Sequence, residues 1–296
     1  MLLTPPATLD DGAIHIGTLL GKGAQGAVYA AQRGDEQLAV KVVPSRKAGL
    51  RFLGEVRALR YLEHPHVVRL YGQGEEQGWT WIAMELLRGG SAQERLDLDG
   101  PFDVQDALAI TFDTLCGLAA VHHRGILHRD VKPANLFLDD DGRAVLGDLG
   151  VARMPGGSVN YETATGTNLG TLDFAAPEQA TDAKRVDVRA DLYSMGATLY
   201  VLATMRRPSF LYAPTEFPQA YDLLAEPLQP IVRKACAHQP DDRFATAREM
   251  AEAVALAREA LGDGTASEHM ARFDHLSPPP SPAKRLWHRL VDQFAP

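Results

Sequence analysis

The chain has 296 residues, is 45% hydrophobic and 23% charged, and carries a formal net charge of −8 at pH 7. That length can bury a sizeable core in one large domain or two lobes, and the composition is that of a soluble globular protein. The acidic balance argues against a nucleic-acid binder, whose footprint is basic.

The N-terminal stretch MLLTPPATLDDG has neither a basic start nor a long apolar core, so residues 1–13 read as a loose leader and not a signal peptide. No uninterrupted apolar run reaches the roughly 18 residues that span a bilayer. Cys116 and Cys236 both sit in apolar helical patterns. They are expected as buried thiols in a reducing, cytoplasmic compartment, with no disulfide and no metal site.

From Ile14 the pattern is strand-like. Gly21, Lys22, Gly23, Gly26 and Val28 spell G-x-G-x-x-G-x-V. A dinucleotide-binding fold uses the same glycines, but there the loop opens a helix. Here Ala27 to Ala31 continues as strand toward the charged turn Arg33-Gly34-Asp35-Glu36, which makes a glycine-rich hairpin. Leu38 to Val43 is a strand that includes Ala39 and places Lys41 in an apolar run, where an unpaired ammonium is costly. A helical stretch from Leu50 to Leu62 has Leu59 and Leu62 on its apolar face, with Glu55 pointing inward near them. His64-Pro65-His66 reads as a turn; no other ligands have the spacing to make these histidines a metal site. Trp79 to Leu86 is a further strand, containing Met84 and Glu85, and Leu87 precedes the breaker Arg88-Gly89-Gly90. Beyond it the chain turns helical, and Val104 to His123 repeats apolar residues at helical spacing.

Residues 127–150 are the densest stretch, LHRDVKPANLFLDDDGRAVLGDLG. Two short apolar runs, Leu136–Leu138 and Ala144–Leu146, flank the turn-like Asp139-Asp140-Asp141-Gly142. Such a hairpin brings Asn135 near Asp148, with both beside Asp130. Two carboxylates and an amide converging there suit Mg²⁺, a hard cation that keeps phosphates close. His128-Arg129-Asp130 followed by Asn135, and then Asp148-Leu149-Gly150, resemble the catalytic signature of the protein kinase family.

The resemblance runs over residues 14–262 and implies an α+β, bilobal kinase fold: a small β-rich N-lobe with one main helix, then a larger, mostly helical C-lobe. By this resemblance the glycine-rich hairpin covers the ATP phosphates, and Lys41 grips them while paired with Glu55. Met84 takes the gatekeeper position, and Glu85, Leu86 and Leu87 form the hinge that meets adenine. Asp130 is then the catalytic base, Lys132 neutralises the γ-phosphate, and Asn135 and Asp148 hold Mg²⁺, with Mn²⁺ as an alternative. Gly170-Thr171 and Ala176-Pro177-Glu178 match the ends of an activation segment. Asp191 is expected to hold the catalytic loop's backbone, and Arg243 to pair with Glu178. Lys132 and Thr171 resemble the serine/threonine type, and HRDVKPANLFL is similar to bacterial members. Arg129 implies a phosphate acceptor in the activation segment, expected by autophosphorylation at Thr163 or Thr165 and less so at Thr167, through a transient homodimer. Thr171 is expected to order the catalytic loop instead. Between Thr204 and Glu226 the chain is shorter and richer in proline than the family pattern, so the substrate-docking helix there is expected to be reduced.

The lobes are placed at 14–87 and 88–262. A proline-rich linker follows at 263–283, and an amphipathic segment at 284–296 with Leu286, Leu290 and Phe294 on one face. That segment is expected to dock on the kinase or to contact a partner or membrane surface. Two other classes compete with a protein kinase acting on ATP and protein Ser/Thr side chains. A pseudokinase scaffold usually lacks part of the set Lys41, Asp130, Asn135 and Asp148, which is intact here. A small-molecule phosphotransferase lacks the activation segment and A-P-E.

Overall fold

The computed structural model describes residues 5–23, 26–45, 62–148, 173–181 and 186–276. Glu55, Leu149, Gly150, the activation-segment hydroxyls from Ser158 to Thr171 and the segment 284–296 lie outside the described residues.

Among the described residues the N-terminal lobe has one antiparallel sheet of six strands: β1 (Thr8–Leu9), β2 (Ile14–Gly23), β3 (Gly26–Arg33), β4 (Glu36–Pro44), β5 (Leu70–Glu76) and β6 (Trp79–Glu85), in the order β1-β2-β3-β4-β6-β5. Leu9, in the stretch expected as a leader, is buried, and it pairs with Ile14 at the sheet edge. Its apolar side chain joins Ile14, Leu38, Val40, Val42 and Trp81 in the lobe's own core, so burial recruits it to the sheet. β2 and β3 form the glycine-rich hairpin, with Gly23 opposite Gly26 and Gly21 opposite Val28. Gly26 has φ 141°, and a Cβ there would meet the Val42 carbonyl oxygen at 2.5 Å. Packing against β4 alone therefore demands glycine at this position. A Cβ on Gly21 would meet nothing within 4 Å, so its backbone faces open space.

The C-terminal lobe packs α1 (Ala92–Asp99), α2 (Val104–His122), α3 (Pro177–Thr181), α4 (Val188–Thr204), α5 (Gln229–Ala235), α6 (Ala247–Ala260) and α7 (Ala266–Leu276) around one core, with the hairpin β7 (Leu136–Leu138) and β8 (Ala144–Leu146) at its upper edge. Local chemistry sets the helix starts. Ser91 and Glu94 make a reciprocal capping box on α1, Asp103 caps α2 and Asp187 caps α4. By length and mean hydropathy α2 resembles a membrane span, but polar residues interrupt it and 72% of its apolar window is buried inside the protein. It is the lobe's central helix, apolar because it is surrounded by protein.

Two features of the C-lobe bear on the expectations. Between α4 and α5 the described chain has only turns and a 3-10 segment, Pro218–Leu223. The stretch 266–276, expected as linker, is a helix. Thr265 and Glu268 cap it reciprocally, the Thr265 N–H donating to Glu268 at 2.8 Å and the Glu268 N–H to Thr265 Oγ1 at 3.2 Å. Met270, Phe273 and Leu276 recur along one face, and Phe273 packs edge-on against Phe112 at 6.1 Å between ring centres. The chain therefore continues as folded structure past Gly262.

Candidate active site

Catalytic-loop residues are gathered by hydrogen bonds that start from one buried aspartate. Asp191, fully buried near the start of α4, accepts the backbone N–H of Arg129 at 2.7 Å and of His128 at 2.9 Å. His122 at the end of α2 adds a ring nitrogen at 2.8 Å. Burial pushes the Asp191 carboxyl toward neutrality, but the bond and charge of His122, with His128 and the Arg129 N–H, outweigh it and hold its pKa below the usual carboxylate range. The loop thus leans on an ionised group, and Arg129 keeps a left-handed φ of 65° there. His128, buried beneath, places a ring nitrogen 3.0 Å from the Gly147 carbonyl oxygen, tying the loop to the residue before Asp148. The sequence reading assigned His128 no role, although it stands inside the HRD triplet.

Asp130, Lys132 and Asn135 form one cluster. Lys132 Nζ donates to both Asp130 oxygens, at 2.9 and 2.8 Å. Asn135 Nδ2 donates to the Asp130 main-chain oxygen at 2.7 Å and to its Oδ2 at 2.9 Å. With both amide hydrogens used, Asn135 keeps its Oδ1 as an acceptor. The Gly147 N–H bonds the Asn135 carbonyl at 2.9 Å, so the chain on either side of β7–β8 returns to the same point. One residue on, Asp148 has φ 52°, and its Oδ1 accepts from Lys41 Nζ at 2.9 Å across 107 residues of sequence. Burial disfavours the Asp148 carboxylate, but the charge and hydrogen bond of Lys41, then His128 and Lys132, overcome this and keep its pKa low.

The donor set fits a hard divalent cation. The Gly147–Asn135 backbone bond brings Asn135 and the residue before Asp148 together, and the side-chain oxygens of Asn135 and Asp148 are of the kind Mg²⁺ takes along with phosphate oxygens and water.

Facing this cluster, Lys41 pairs with Val28 of β3 on one side and Ile82 of β6 on the other. Ala39 lies opposite Met84, which packs partly buried beside Val43 and Ile82. Glu85 ends β6, and its N–H bonds the Arg69 carbonyl at 2.9 Å. Leu87 packs on the C-lobe core, and Gly89 closes onto β7, its N–H bonding the Leu138 carbonyl at 3.1 Å. Lys22 and the three motif glycines lie on the overhanging β2–β3 hairpin. Below the site, Arg243 grips Glu178 with two hydrogen bonds of 2.7 and 2.8 Å. Lys41 is thus joined to Asp148, and Asp130 to Lys132 and Asn135; Glu55, Thr163, Thr165, Thr167 and Thr171 fall outside the described residues.

A β-sheet lobe over a helical lobe, with a lysine–aspartate pair between them above an HRD loop, defines a protein kinase. Residues 14–254 match the protein kinase domain family, and the chain belongs to that family. Serine/threonine-protein kinase PknL of Mycobacterium tuberculosis is 34% identical over 274 residues, covering 86% of this chain and 68% of its own length. Serine/threonine-protein kinase PknB of Mycobacterium leprae is 33% identical over 271 residues, covering 84% of this chain and 43% of its own. The chain is a protein serine/threonine kinase of the bacterial type.

Proposed function

We propose that this kinase transfers the γ-phosphate of ATP to serine and threonine hydroxyls of proteins in a Mg²⁺-dependent reaction, with Mn²⁺ able to substitute. The observation that carries this is the Asp130 carboxylate held between Lys132 and Asn135, together with the Lys41–Asp148 pair. Asp130 orients the substrate hydroxyl and accepts its proton. Lys132, already within 2.9 Å of Asp130, neutralises charge on the transferring phosphoryl group. Lys41 moves between Asp148 and the α- and β-phosphates, oriented by Glu55, and the hairpin of Gly21, Lys22, Gly23, Gly26 and Val28 covers those phosphates. Ala39, Met84, Glu85 and Leu87 border the adenine. Asp148 and Asn135 supply the oxygens for the cation, which when bound offsets the negative charge of the phosphates. Positioning and charge account for most of such a reaction, because the protein need form no covalent bond.

Autophosphorylation at Thr163 or Thr165 raises activity in this reading. Its support is Arg129, fixed one residue before Asp130, and the run of hydroxyls upstream of Thr171. A phosphate adds about −1.5 to −2 charge and charge-assisted hydrogen bonds to an arginine. A transient homodimer serves that step, and the 284–296 segment contacts a partner or a membrane surface. Cys116 and Cys236 are buried cysteines, which supports a reducing, cytoplasmic setting.

The test incubates the protein with ATP and Mg²⁺ and maps phosphosites by mass spectrometry, alongside Asp130→Asn and Asp148→Asn. Both variants should lose transfer. Asp130→Asn should keep nucleotide binding, whereas Asp148→Asn should weaken the Mg²⁺-dependent part of it. Near-normal transfer by Asp130→Asn would remove the assigned base. Full activity of Thr163→Ala/Thr165→Ala, with no phosphate between Ser158 and Thr167 in the wild type, would remove the regulation alone.

A further inference from the structure

β8 delivers Asp148, and both ends of this three-residue strand are clamped. At its start, the Ala144 N–H donates to Asp113 Oδ2 of α2 at 3.2 Å, and the Ala144 carbonyl oxygen lies 2.8 Å from His66 Nδ1. At its end, the Leu146 N–H bonds the His66 carbonyl at 3.0 Å, and the Leu146 carbonyl accepts the Val68 N–H at 2.9 Å. His66 is 1% exposed, and α2 approaches its carbonyl so closely that a Cβ on Gly117 would sit 2.4 Å away. Asp113 and His66 are therefore two side chains that bond directly to the first residue of β8, four residues before Asp148.

Both are held from outside by a residue of the unexpected helix α7. Arg272 Nη2 donates to Asp113 Oδ1 at 2.9 Å and lies 3.3 Å from His66 Nε2. The arrangement is chemically consistent: a neutral His66 that donates from Nδ1 to Ala144 presents Nε2 as the acceptor for the guanidinium. Asp113 uses one oxygen for the β8 backbone and the other for Arg272, so its orientation depends on both. Phe273, the next residue, anchors α7 in the core against Phe112, one residue before Asp113, and Arg248 of α6 pairs with Asp274.

We propose that Arg272 is a positioning residue for phosphoryl transfer: by fixing Asp113 and His66 it sets the β8 backbone that carries Asp148, coupling the docked state of α7 to the cation-binding end of the active site. The proposal rests on the role assigned to Asp148, but the clamp itself can be read separately. Arg272 is 45% exposed, so its two contacts can be broken without opening the core.

The experiment compares wild type, Arg272→Ala and Arg272→Lys in the full chain by amide hydrogen exchange and steady-state kinetics. Arg272→Ala should speed exchange at the Ala144 and Leu146 amides at least tenfold, leaving the α2 and α4 amides protected. It should lower kcat roughly three- to tenfold, raise the Mg²⁺ concentration for half-maximal rate, and leave KM for the protein substrate within twofold. Arg272→Lys, which can still reach Asp113, should recover most of both effects. Unchanged exchange at Ala144 and Leu146 would overturn the clamp, as would loss of protection across the whole C-lobe, which would show a purely structural role. Faster exchange with unchanged kcat and Mg²⁺ dependence would overturn the coupling. Failure of the Asp148 assignment would show independently, as retained activity in Asp148→Asn.

Discussion

Arg129 adopts a left-handed backbone, φ 65°, while its N–H donates to Asp191 Oδ1 at 2.7 Å across 62 residues of sequence. A non-glycine residue in that region costs on the order of 1 kcal/mol, and it persists where the surroundings over-determine it. Asp191→Asn puts an NH₂ where one oxygen accepted, leaving a buried donor unsatisfied. Stability should fall by about 1–3 kcal/mol, and kcat should fall more than tenfold because Asp130 follows Arg129 directly. Denaturant unfolding and initial rates check this; wild-type kcat in a folded Asp191→Asn would refute it.

Arg243 has a fully buried side chain and does more than pair with Glu178. Its guanidinium also donates to the carbonyls of Ala237 at 2.7 Å, His238 at 3.0 Å and Arg189 at 3.3 Å. Arg243→Lys, lacking the planar fork, should cost roughly 3–5 kcal/mol, as for a broken buried pair. Glu178→Gln keeps an acceptor and leaves those three carbonyls satisfied, so it should cost less. Equal losses in urea titrations would show that the Glu178 contact alone matters.

Phe273 is 2% exposed, which makes α7 part of the folded unit. Phe273→Ala should destabilise by about 3–5 kcal/mol, the usual range for a buried phenylalanine. Deleting residues 277–296 should leave both Tm and basal transfer nearly unchanged, while deleting 266–296 should lower Tm by many degrees. Indistinguishable melting of the two truncations would contradict the docking of α7.

The His64-Pro65-His66 turn should make stability sensitive to pH. Burial first, then the charge of His66, lowers the His64 pKa from 6.5 to about 4, against a raising contact with the Leu276 backbone. The unfolded chain therefore binds the proton first. The stabilising contribution is complete above pH 6.5, shrinks as pH falls, and is gone once pH passes below about 4. The free energy of unfolding should drop on acidification from pH 7 to pH 5. His64→Asn, which can still accept the His66 N–H, should flatten that drop; an unaltered slope would point to other groups.

Within the sequence itself, short spacings determined the catalytic strip. His128 to Asp148 lies within one loop and hairpin, so residue type and separation sufficed to bring Asp130, Asn135 and Asp148 together. Gly21, Gly23, Gly26 and Val28 were legible for the same reason, as a hairpin that continues in strand. Contacts between distant segments were decided only by tertiary packing. Lys41 meets Asp148 across 107 residues, and Arg272 meets Asp113 across 159, because burying the lobes' apolar faces brings these charges into reach of opposite charge that offsets their lost hydration. Gly26 is required by the Val42 carbonyl pressed against it, a contact no spacing announces. The Thr265–Glu268 cap and the recurrence of Met270, Phe273 and Leu276 were present in the sequence as a helix signal. That this helix folds back onto Phe112 and His66 was not, since an amphipathic face declares that it must be covered and leaves to the rest of the fold what covers it.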